Sequence, residues 1–135
     1  MSAVEHIPDW MIDWARLEPH LENALDYAGG THSLEDVFVG VAAGDYQFWP
    51  GGDSAIVTEI VDFPQKTVLH YFLAGGNLAE LEQMADEIED WARTQRDIHS
   101  ITLTGRRGWT KSFLRDRGYT QSSVSMTKEL NDEQE

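Results

Sequence analysis

His70-Tyr71-Phe72-Leu73-Ala74-Gly75-Gly76-Asn77-Leu78 is the stretch on which the fold turns. The run from Thr67 to Leu73 is dominated by apolar, aromatic and β-branched residues, the mark of a buried strand. Two glycines follow. Asn77, with Glu80 three residues on, then has the pattern of a helix start. Leu78, Leu81, Ala85, Ile88 and Trp91 recur as one apolar stripe, while Glu80, Glu82, Asp86, Glu87, Glu89 and Asp90 cover the other faces. A strand that opens through glycine into a helix leaves backbone N–H groups at the helix start, where an anion can sit.

Downstream, Ile98–Leu103 reads as another buried strand. Because a helix separates it from Thr67–Leu73, the two are expected to be parallel. Gly105-Arg106-Arg107-Gly108-Trp109 then leads into a short helix over about 108–116 that stops at Gly118, and Tyr119–Thr127 alternates weakly as a last strand. Upstream, Pro50-Gly51-Gly52-Asp53 and Pro64-Gln65-Lys66 are turn signals that separate Asp45–Trp49, Ala55–Phe63 and Thr67–Leu73. Such short connections predict an antiparallel meander. Trp10, Trp14, Leu17, Leu21 and Leu25 recur at helical spacing, but Pro19 interrupts them. Since proline is tolerated in a first turn and not mid-helix, the pattern predicts two helices, about 9–17 and 19–28, closed by Gly29-Gly30. Ser33-Leu34-Glu35-Asp36 caps a further helix running to about Ala43.

The chain has 135 residues, enough for one packed core, and 41% apolar content with five tryptophans argues for a folded globule. No cysteine is present, which excludes disulfides, a thiolate nucleophile and a cysteine-type zinc site. No apolar run approaches the ~20 residues that a membrane helix needs, and the first residues lack the basic and apolar regions of a signal peptide; an intracellular protein is expected. A net charge of −14 argues against non-specific nucleic-acid and acidic-membrane binding. The charge is unevenly spread: residues 1–92 hold 18 acidic and 2 basic residues, and residues 93–135 hold 6 acidic and 8 basic. A cationic patch on an acidic protein points to an anionic ligand or an acidic partner, although Arg115 and Arg117 also suit a helix C-terminus. The five histidines show no metal-type spacing, and Ala74-Gly75-Gly76-Asn77 is not followed by the Lys-Ser/Thr of a Walker loop. Trp49 and Trp109, at element ends, are the tryptophans best placed for a ligand or interface contact.

The order helices, three meander strands, helix, strand, helix, strand, together with the cadence Gly105-Arg-Arg-Gly-Trp-Thr-Lys-Ser-Phe-Leu-Arg-Asp-Arg-Gly-Tyr119, resembles the GNAT acyltransferase superfamily over roughly residues 34–128. Within that superfamily it looks most like the short, divergent GNAT-like proteins of tailed phages and related particles. The resemblance implies an α+β fold in a single GNAT-like domain, residues 1–130, with an acidic tail at 131–135. It implies a mixed, mostly antiparallel sheet of about five to six strands, about four to five helices, and a splayed parallel strand pair. It further implies acetyl-CoA in the splay, with its diphosphate on Leu73, Ala74, Gly75, Gly76, Asn77 and Leu78 and with Arg106, Arg107 and Lys111 reaching the phosphate oxygens. Acetyl transfer to a small-molecule or protein amine, in the cytoplasm or inside a phage-like particle, would follow. A GNAT-shaped assembly or interaction module with protein partners is the alternative.

Two positions depart from the superfamily's pattern. The loop lacks a basic residue at its start, and Leu114 stands where an acid tyrosine is frequent; leucine cannot donate a proton. Amine acetylation needs a base, often through water, and a donor for the leaving thiolate, and the candidates for these roles are Glu59, His70 and Tyr71. Strand alternation places His70 with Val68 and Phe72, and Tyr71 with Leu69 and Leu73, on opposite faces, so at most one of them faces a cleft. A lone strand histidine is commonly a satisfied structural residue, and Glu59 can equally be a solvent-facing charge.

Overall fold

A computed structural model describes residues 7–95, 97–104, 116–122 and 125–130. The chain divides into two compact units, Met1–Thr104 and Gly105–Glu135. In the first, the order is α1 (Asp9–Leu25), α2 (Leu34–Ala42), β1 (Tyr46–Pro50), β2 (Ser54–Asp62), β3 (Thr67–Gly76), α3 (Leu78–Thr94) and β4 (Ile98–Leu103). The strands lie side by side in chain order as one sheet. β1–β2 and β2–β3 are antiparallel, as their short turns require, and β3–β4 is parallel, as the α3 crossover requires.

Each face of the sheet has its own core. On one, Trp14, Leu17, Leu21 and Ala24 of α1 and Val37 of α2 close over Ala55, Val57 and Leu73. On the other, Leu81, Met84, Ile88 and Ala92 of α3 close over Ile56, Leu69 and Tyr71. Leu21 and Ile88 are fully buried; burying such a side chain stabilises by about 1.5–3 kcal/mol.

The first unit departs from the sequence reading in α1. Pro19 lies inside one continuous helix. Its ring removes the bond to the Ala15 carbonyl, but Ala15 and Pro19 are both exposed, so water serves that carbonyl. Trp14, Leu17, Leu21 and Ala24 bury the opposite stripe on both sides of the proline. That burial outweighs the roughly 3 kcal/mol a mid-helix proline costs.

The second departure is in β3. It extends to Gly76, three residues past the expected end, because Ala74, Gly75 and Gly76 continue the ladder with Ile56, Ala55 and Ser54. The register also slips: Thr58 faces Tyr71 while Val57 faces Leu73, leaving Phe72 unopposed as a bulge. Phe72 and Leu73 consequently pack on the same side, with the α1–α2 core, whereas Tyr71 stays with Leu69 under α3. The expected grouping of Tyr71 with Leu73 fails for this reason.

Three helices and four strands are formed among the described residues, fewer than expected. In Gly105–Glu135, Asp116 is helical and Gly118 takes a left-handed conformation, φ 91°, at the predicted stop. The described residues of Tyr119–Thr127 form no strand, which corrects that expectation: their alternation is weak, and a strand needs a paired neighbour. Most of the predicted 108–116 helix and the 131–135 tail lie outside the described residues.

Candidate active site

One rung crosses the whole sheet. Tyr46 of β1 stands opposite Glu59 of β2, Glu59 opposite His70 of β3, and His70 opposite Thr102 of β4. Residues directly opposite share a face. The Tyr46 ring lies 5.5 Å from that of Phe72, and both belong to the α1–α2 side, which fixes the face of the rung. His70 and Glu59 are half-buried and Thr102 is exposed, so the rung is open toward its β4 end.

His70 Nδ1 is 2.9 Å from the Thr102 hydroxyl. Burial pulls the His70 pKa below the ordinary imidazole value, and the Glu59 carboxylate acts weakly against that. The ring is therefore neutral at neutral pH. Glu59 makes no hydrogen bond or ion pair among the described residues. Tyr46 is pushed the other way: burial raises its pKa, and Glu59, Asp45 and Asp36 add to the rise, so the phenol keeps its proton. His32, between α1 and α2, leans onto this group. Its ring is 4.8 Å from Phe72, edge to face, and its Nε2 is 3.4 Å from the Tyr46 oxygen; its Nδ1 is held by the Thr31 hydroxyl at 2.7 Å.

The rung lies just before the β3–β4 pairing ends. The last β3–β4 pair is Tyr71 with Leu103. Past it, β3 runs on from Phe72 to Gly76 with β2 on one side and no described strand on the other. The β3–α3 junction then presents an exposed first helical turn at Asn77, Leu78 and Ala79. The Leu78 and Ala79 N–H groups have no acceptor among the described residues, as the first positions of a helix dictate.

Elsewhere the junction is filled by the chain itself. Gly75 is buried against α1, and a Cβ there would collide with the His20 carbonyl. Gly76, at φ 129°, packs on Ser54. The Asn77 N–H donates to Ser54 Oγ at 2.9 Å, and the Asn77 side chain takes the Glu80 N–H at 3.0 Å. The Glu80 carboxylate reaches across to accept the N–H groups of Gly52 and Asp53 in the β1–β2 turn. Hydrogen bonds from Ser54, Asp53 and Gly52, in that order of weight, hold its pKa below the usual carboxylate range. From the other side Arg16 donates to the Gly51 and Gly52 carbonyls, and His20 Nε2 lies 2.9 Å from the Asp53 carboxylate. The turn is thus held between α1 and α3.

Of the candidates named from the sequence, Glu59 and His70 come together on the rung. Tyr71 is buried on the opposite face, under α3. Leu73 faces the α1–α2 core, and Ala74 packs with the α3 core. Arg106, Arg107, Lys111, Leu114 and Trp109 lie outside the described residues. Trp49 is packed against Trp91 at 5.4 Å and donates to Thr58 at 3.0 Å, so its ring serves the α3 core. Sequence reasoning did not pick out Tyr46, His32, Thr102 or Arg16, and it read Glu80 only as part of a helix start. Tyr46 was within reach, since it alternates with Phe48 onto the core face. The register that puts Thr102 beside His70 depends on the α3 crossover and leaves no sequence signal.

No protein-family model matches the chain, and no curated protein matches it. Solved structures do. A possible acetyltransferase from Clostridium difficile 630 superposes with a TM-score of 0.63 at 10% identity, over 93% of this chain and 94% of that one. A GNAT family acetyltransferase from Staphylococcus aureus subsp. aureus USA300_TCH1516 gives 0.53 at 15% identity, over 88% and 93%. Likeness at such low identity speaks to fold rather than activity, and the fold of this chain is GNAT-like.

Proposed function

We propose that the protein transfers an acetyl group from acetyl-CoA to an amine, with His70 as the base. The observation that carries this reading is the end of the β3–β4 pairing at Tyr71 and Leu103, directly beyond a rung holding a neutral, half-buried histidine. The junction suits the cofactor on one side only. The β3 edge from Phe72 to Gly76, which no described strand pairs, and the Leu78 and Ala79 N–H groups, which meet no described acceptor, fit a chain ending in a diphosphate. The inner side of Gly75 does not, being filled by α1. Gly76, Asn77, Leu78 and Ala79 are accordingly the residues that would hold it, with Arg106, Arg107 and Lys111 as further phosphate partners.

When bound, acetyl-CoA supplies a thioester carbonyl open to attack by an amine. As the new C–N bond forms and the thioester C–S bond breaks, the ammonium nitrogen would give up two protons, one to His70 Nε2 and one to the departing CoA sulfur. Glu59 draws the amine in as its ammonium form and steadies the imidazolium that results. Tyr46, kept protonated, donates a hydrogen bond and closes the inner end of the rung.

The test is acetyl-CoA-dependent release of free CoA thiol with a panel of small amines and lysine peptides. Turnover that His70→Ala removes supports the proposal. Absence of turnover with every acceptor, or full turnover in His70→Ala, contradicts it.

A further inference from the structure

His70 and Thr102 are joined by a contact that pairing of β3 and β4 alone does not require. Their backbones are register partners on the second-last rung of the parallel pair, and the side chains meet at 2.9 Å between Nδ1 and Oγ1. A neutral imidazole carries one N–H, on either nitrogen, and a hydroxyl can donate or accept. The surroundings break that symmetry. On Nδ1 the proton has an acceptor in Thr102. On Nε2 it has none among the described residues, because Glu59, although directly opposite in the ladder, makes no bond to the ring. A fixed acceptor at 2.9 Å holds a proton on Nδ1, whereas a proton on Nε2 has only water to meet. Thr102 is exposed, so its own hydroxyl proton finds water.

We propose that Thr102 is a positioning residue: it accepts the Nδ1–H of His70 and so fixes the tautomer whose Nε2 lone pair is left bare. The inference rests on the reading of His70 as the base, since that role needs Nε2 unprotonated. Among the described residues, the charged and titratable groups facing the ring are few. Glu59 lies opposite on β2, with Tyr46 beyond it on β1 and His32 leaning on Tyr46 from the α1–α2 connection.

The experiment is imidazole ¹⁵N NMR on the full chain, at a pH where the ring is neutral. The His70 signals are identified as those missing in His70→Ala. Expected are a proton on Nδ1 and a bare Nε2 in the wild type, the same in Thr102→Ser, and a mixture of tautomers in Thr102→Val. A proton on Nε2 in the wild type, or an unchanged tautomer in Thr102→Val, overturns the assignment. Because Thr102 is exposed, both variants are expected to fold. With an acceptor amine in hand, Thr102→Val should lower kcat about fivefold, the worth of one ordinary hydrogen bond, with KM unchanged and Thr102→Ser restored. A wild type with the expected tautomer and no turnover contradicts the base reading and leaves the role of Thr102 standing.

Discussion

The two ends of β3 differ in how their polar groups are answered. At the Gly75–Gly76 end the chain satisfies itself. Glu80 occupies the N–H groups of Gly52 and Asp53, Ser54 takes the Asn77 N–H, and the His20 carbonyl fills the space a side chain would need at Gly75. About 16 Å of strand away, at about 3.3 Å per residue, the His70 rung holds a carboxylate and one imidazole nitrogen that make no hydrogen bond among the described residues. The glycine pair, which looks like ligand-binding chemistry in the sequence, is largely packing. The unremarkable strand histidine keeps reactive capacity. Clamped groups stabilise; groups left open are available for chemistry.

The sharpest way to break this contrast is to exchange the expected consequences of mutation. His70→Ala should reduce turnover by about 10²–10⁴-fold, the usual worth of a general base, while acetyl-CoA binding and the melting temperature stay close to wild type. In the wild type, kcat/KM should rise with pH to a midpoint below the ordinary imidazole value of about 6.5, because burial disfavours the charged ring. A midpoint above that value would assign the titration to another group.

At the clamped end the order reverses. Gly75→Val forces the collision with the α1 backbone at His20 and should cost about 3 kcal/mol of stability, as overpacking does. Thermal or urea unfolding measures it. Loss of acetyl-CoA affinity with unchanged stability would instead make Gly75 a ligand contact.

The smallest effect concerns Glu80. Its folded pKa is depressed by the Ser54, Asp53 and Gly52 hydrogen bonds, with Arg16 adding to the effect. The stability it contributes is therefore complete above the ordinary carboxylate range and lost as pH falls through its folded value. Glu80→Gln should lower the melting temperature slightly at neutral pH. It should also flatten the decline as pH falls through and below the ordinary carboxylate range. An unchanged acid profile would show that the turn is held by Arg16 and His20 instead.

Much of this fold was legible in the chain. The Asn77 cap, the apolar stripe of α3 and the turn residues at 50–53 and 64–66 each state a local preference that the packing respects, and the GNAT-like order follows from them. Pro19 misled because propensity is local, whereas α1 is held by Trp14, Leu17, Leu21 and Ala24 across the sheet. The bulge at Phe72 was invisible because two-residue alternation carries no sign of a slip, and that slip decides which side Leu73 faces. The site was half legible. His70 and Glu59 stand out as polar residues in apolar strands, but their partners Tyr46 and Thr102 come from strands whose register only the folded sheet sets.

The central claim, that acetyl-CoA binds along the β3 edge beyond its last pair with β4, is tested most directly by calorimetric titration of the wild-type chain with acetyl-CoA. Saturable one-to-one binding, retained in His70→Ala and accompanied by a higher melting temperature as ligand is added, is the result predicted. No heat and no thermal shift at millimolar acetyl-CoA would contradict it.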